Sequence, residues 1–152
     1  MRYSTSCTAL ILLAALAAPA GAYCSDETAP DQQSIAALEA RVDQAPAREQ
    51  CFLYAELIHQ MTEFSLRQYA AGDVAKSTAM LKQIQQLANK VHVSLADDNK
   101  RLKNAEILLR HAAFHLREML HSSSYEDRPL VEQTLAQVNQ ADNDAMMQVF
   151  RK

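Results

Sequence analysis

Apolar residues recur along most of this chain at three- and four-residue intervals and almost nowhere alternate, which marks helix faces and not strands. From residue 31, "DQQSIAALEARVDQ" carries Ile35, Leu38 and Val42 at helical spacing, and Pro46 interrupts the pattern. A short first helix is predicted there. A second runs from Ala47 to Ala71, with Cys51, Tyr54, Ala55, Ile58, Met61, Ser65 and Tyr69 on its apolar side. Glu49, Glu56, Gln60, Glu63 and Arg67 fall on the opposite side, toward water. Gly72 suits a helix C-terminus and Asp73 the next N-cap, so "AAGD" reads as a tight αα-hairpin turn.

The third predicted helix, Val74 to about Leu95, shows the cleanest stripe: Val74, Leu81, Ile84, Ala88, Val91 and Leu95. "ADDN" at 96–99 offers capping groups for a fourth helix ending near His121, whose core stripe is Leu102, Ala105, Leu109, Ala112, Leu116 and Leu120. "HSSSYEDRP" breaks the chain. Asp127 as N-cap and Pro129 in the first turn then start a fifth helix, striped by Val131, Leu135, Val138, Ala145 and Val149. Asp142 falls within that stripe, either reaching water at its edge or buried with a shifted pKa.

Short connections between successive helices predict an all-α, up-and-down bundle of four long helices plus a short N-terminal one. An αα-solenoid shares the paired helices, but the chain lacks self-similarity at the period of about 34 residues that tetratricopeptide repeats require.

The first residues change the picture from a cytosolic to an exported bundle. In "MRYSTSCTALILLAALAAPAGAYC", Arg2 is a short positive region, Thr8 to Ala18 an apolar run, and Ala20-Gly21-Ala22 a small-residue cleavage site. The expected parts are therefore a signal peptide at 1–22, a flexible polar tail at 23–30 and a single helical domain at 31–152, secreted or periplasmic after cleavage near Ala22. Tyr23, not a small residue, precedes Cys24, which argues against a lipoprotein, and no stable membrane anchor is expected in the mature chain.

Cys7 leaves with the signal, so the mature chain keeps Cys24 and Cys51. In an oxidising compartment the two can form a disulfide stabilising by about 3–4 kcal/mol in the chain-entropy model. Alternatively, Cys51 is an ordinary buried side chain.

The charge balance, 15 Lys and Arg against 18 Asp and Glu with the signs interspersed, provides neither a basic stripe for nucleic acid nor a polybasic membrane patch. With only two glycines there is little scope for tight catalytic turns, and no Gly-x-Ser-x-Gly, His-Glu-x-x-His or phosphate loop is present. Nothing in the sequence positively supports catalysis.

Two Glu-x-x-His pairs, Glu56–His59 and Glu118–His121, raise the possibility of a ferritin-like di-iron bundle. That site needs inward glutamates, whereas Glu56 and Glu118 lie off the core stripes and the third helix has no glutamate. A smaller set remains: His111 and His115, one turn apart on the fourth helix, with Glu118 on the next turn, as candidate ligands for Zn²⁺ or Cu²⁺. A solvated edge of boundary histidines is the other reading, and no cofactor is otherwise implied.

Ile107 and Phe114, two turns apart, stand opposite the fourth helix's core stripe among Lys103, Arg110 and His121. Either the first helix covers them or they face a partner, another protein or a second copy.

The segments "REQCFLYAELIHQMTE" at 48–63 and "KRLKNAEILLRHA" at 100–112 resemble those of a family of uncharacterised exported bacterial helical proteins. The resemblance spans most of the mature helical region and agrees with export, but implies no activity, cofactor or site residue. The expected function is a protein-interaction or self-association module, with metal or small-ligand binding on the fourth helix as the alternative.

Overall fold

The computed structural model describes residues 29–96 and 99–151; the expected signal peptide, Cys24, and Asp97 and Asp98 of the "ADDN" stretch lie outside that range. Five helices follow in order: α1 (Gln32–Gln44), α2 (Ala47–Ala70), α3 (Val74–Ser94), α4 (Leu102–Ser122) and α5 (Arg128–Phe150). The protein is all-α among the described residues, and no helix there is long and apolar enough to cross a membrane.

Local chemistry sets most of the boundaries. α1 opens on a capping box: the Ser34 N–H donates to Asp31 Oδ1 (2.7 Å) and the Asp31 N–H to Ser34 Oγ (3.0 Å). The first of these bonds, from the Ser34 N–H to the ionised form, holds the Asp31 carboxyl below its usual pKa. α2 ends as predicted. Gly72 takes φ +86°, its N–H reaches the Tyr69 carbonyl (3.0 Å), and the Asp73 N–H reaches back to Gln68 (2.9 Å). Asp73 then caps α3 through the Lys76 N–H (3.1 Å).

The start of α4 departs from expectation. The side-chain amide of Asn99 donates to the Ser94 carbonyl (2.9 Å), so Asn99 finishes α3 instead of opening α4. The N-cap of α4 is Arg101, in the left-handed region at φ 56°, with its guanidinium 3.5 Å above the Phe52 ring centre. Asp127 is likewise an N-cap without a capping side chain. Its carboxylate instead accepts from Tyr69 Oη (3.0 Å) and Ser124 Oγ (2.7 Å).

α2 packs on α1, α3 and α4; α5 packs on α3 and α4; α1 touches α2 alone. Helix directions alternate, but α3 and α4 occupy opposite corners of the bundle and do not meet. Lys100, just before α4, docks on the start of α2, its N–H donating to the Arg48 carbonyl (2.9 Å). At the other end, Tyr69 Oη accepts from the Ser124 N–H (2.8 Å). Starts and ends of α2 and α4 thus coincide, and the two run parallel side by side. α3 and α5 are parallel neighbours too, tied by Gln85 to Thr134 (2.9 Å) and His92 to Asp144 (2.8 Å).

Because α2 has three neighbours, it is buried on more than one side. Leu57 and Phe64 join Ile58 and Met61 in the interior. This corrects the expected solvent side of α2: Glu49, Glu56, Gln60, Glu63 and Arg67 are each partly covered, as is His59.

Candidate functional site

The core face of α4, Ala105, Leu109, Ala112, Leu116 and Met119, leaves two flanks and an outer arc. One flank meets α2 along the seam between the parallel helices. At about 100° per residue, Leu108, His111 and His115 fall on that flank, while Ile107 and Phe114 project away from the core.

In the seam, α2 contributes His59 and Glu63, one turn apart, and α4 contributes His115. His59 Nε2 lies 3.9 Å and His115 Nε2 3.7 Å from the same oxygen, Glu63 Oε1. The ligating atoms of the three residues all fall within 4.8 Å of one another. The side chains are 18%, 30% and 27% exposed for His59, Glu63 and His115, so they are neither sealed in the core nor loose on the surface.

His115 Nδ1 makes a 3.0 Å hydrogen bond with Glu118 Oε2. The carboxylate can only accept, so the imidazole N–H is at Nδ1 and the Nε2 lone pair faces α2 when the ring is neutral. The seam opens into a groove of about 560 Å³ lined by Glu56, Gln60 and Leu108 together with His59, Glu63 and His115. Pro30, entering α1, closes one end, its carbonyl held by Arg67.

Of the metal-ligand set expected on α4 alone, the structure joins His115 to Glu118 but leaves His111 exposed, its ring centre 5.9 Å from that of His59. The donors opposite His115 come from α2: Glu63, expected to face water, and His59, expected only as part of a Glu-x-x-His pair. The signal for them was present as a second donor pair at i, i+4 in α2. What was missing is the adjacency of α2 and α4.

On the outer arc, Ile107 and Phe114 are 39% and 54% exposed. α1 lies on α2 and does not cover them, which removes the first of the two expected explanations. Lys103, Arg110 and Arg117 alternate with them at three- and four-residue steps, all exposed. Arg110 also pairs with the buried Glu106 one turn back. The Phe114 ring stands edge-on to His115, centres 5.6 Å apart, so the apolar row adjoins the seam.

Two further ionisable groups lie away from the seam. Cys51 is fully buried at the α2 N-terminal end, and burial pushes its thiol up to about 11. Its expected partner Cys24 lies outside the described residues. Asp142 is partly covered on α5, and desolvation raises its pKa against the pull of Arg110 and Arg117.

Comparison with protein-family models, curated proteins and solved structures finds no match to this chain.

Proposed function

We propose that this chain is an exported helical bundle that acts by binding a partner protein through the outward face of α4. One observation carries the reading: Ile107 and Phe114 stand exposed in a row that no other described helix covers. Large side chains in register on a helix face are what a helix–helix interface uses. The three basic residues in the same row disfavour self-pairing across a two-fold axis, which would set cations against cations. They favour a partner helix with apolar residues opposite Ile107 and Phe114 and carboxylates opposite Lys103, Arg110 and Arg117. The signal-like N-terminus supports an encounter in the periplasm or outside the cell.

The direct test uses two synthetic amphipathic helical peptides of one length, with leucine at one seam position and glutamate or lysine at the other. The glutamate peptide is expected to bind, more weakly as salt rises, and the lysine peptide not to bind. In Ile107→Gln/Phe114→Gln, binding is expected to disappear while circular dichroism and the unfolding midpoint stay unchanged. Equal binding of both peptides, or unfolding of the double variant, would overturn the proposal.

A further inference from the structure

We infer that His59, Glu63 and His115 form a binding site for a divalent transition-metal ion of the zinc or copper class, with Glu118 positioning His115. The site adjoins the partner surface on α4 through Phe114 but uses none of that surface's residues.

The spacing is the first argument. Two imidazole nitrogens and a carboxylate oxygen face one point, yet the separations of 3.7 and 3.9 Å put Glu63 beyond hydrogen-bond reach of either Nε2. Donors around a tetrahedral zinc, with bonds of about 2.0–2.1 Å, stand roughly 3.3 Å apart. All three ligating atoms lie within 4.8 Å of one another, a gap of the size that side-chain rotation closes.

The second argument is orientation. A metal-ligating histidine characteristically donates its other ring N–H to a carboxylate, which fixes the tautomer and raises the basicity of the ligating nitrogen. His115 has this partner in Glu118, at 3.0 Å from Nδ1, and its Nε2 is the atom turned toward Glu63.

The third argument is the donor chemistry. Two imidazoles and one carboxylate suit zinc or copper, whereas calcium and magnesium take oxygen ligands. Three protein donors at the edge of a groove leave a fourth position accessible to water or to a ligand. The groove supplies the space, about 560 Å³.

The rival account is an imidazolium at His115 bridging Glu63 and Glu118, in which a proton replaces the metal. Calorimetric titration of zinc sulfate, and separately of copper sulfate, into the chelator-treated full mature protein separates the two. One tight equivalent of at least one metal is expected, with no such step in His59→Ala or His115→Ala. His111→Ala is expected to keep the step.

Glu118→Ala is expected to weaken binding about 10- to 100-fold, the usual effect of removing such a partner, with Glu118→Gln recovering part of it because the amide oxygen still accepts from Nδ1–H. Substitution with Co²⁺ adds a readout of geometry: four-coordinate d–d absorption that both histidine variants lose. Absence of any tight step, or several weak equivalents retained in all variants, would overturn the site. So would a step that survives His59→Ala but is lost in His111→Ala, which would place the ligands on α4 alone. Unchanged circular dichroism keeps each variant interpretable.

Discussion

Asp142 shows how far a single residue can be read from its neighbours in sequence. Its place in the α5 stripe leaves two readings, a stripe-edge carboxylate reaching water or a buried acid, and one of its oxygens is buried without a hydrogen-bond partner. The arginines that oppose the effect, Arg110 and Arg117, sit on α4 and are not legible from α5 at all. Desolvation wins, so the folded-state pKa lies above the ordinary aspartate value. A carboxyl raised in this way favours folding when protonated, and that contribution is lost as pH rises through the folded-state pKa. Asp142→Asn is therefore expected to raise the urea midpoint at pH 7 and to leave it near wild type at pH 3. An equal shift at both pH values would assign the effect to packing and not to charge. Cys51 repeats the lesson for a thiol: its burial was legible from the α2 stripe, but its neighbours Ser94 and Asn99, at the far end of the α3 hairpin, were not.

Elements were legible where the punctuation had a single physical meaning. Gly72 is such a case: its positive φ is cheap only without a side chain, and the "AAGD" turn forms where the sequence indicates it. No atom lies within 4 Å of the place a Cβ would occupy, so Gly72→Ala meets no clash and its cost is conformational. About 1 kcal/mol of destabilisation is expected by urea unfolding, and less for Gly72→Asn, which tolerates the left-handed region better. A cost of several kcal/mol would mean that the turn also positions the helices it joins. "ADDN" and "YEDRP" were less legible because a polar side chain near two helix ends can serve either. Asn99 turned back to α3, and the Asp127 carboxylate turned to Tyr69, which ties the end of α2 to the start of α5. Local propensity places such residues near a boundary, while tertiary contact decides which backbone group they satisfy.

At the scale of the molecule, hydrophobic stripes specify how many faces each helix buries but not which helix fills each face. A bundle in which every helix neighbours the next would set α2 and α4 at opposite corners, about 14 Å apart for sides of about 10 Å, and His115 would never meet His59 and Glu63. The packing of α4 on α2 exchanges those neighbours, so the three-donor seam is not legible from any one helix, whereas the exposed row of Ile107 and Phe114 is. The same exchange makes α3 and α5 adjacent, and that adjacency is open to a solution test. Gln85 Nε2 donates to Thr134 Oγ1 at 2.9 Å, and Thr134 also bonds back to the Leu130 carbonyl. Gln85→Ala and Thr134→Val each break the inter-helix bond, but only the second also removes the bond to Leu130, so their separate costs are not comparable. Their coupling isolates the shared contact, for which a double-mutant cycle is expected to give about 0.5–1.5 kcal/mol. Strictly additive changes would mean that this bond adds nothing to stability in solution and would overturn the expectation.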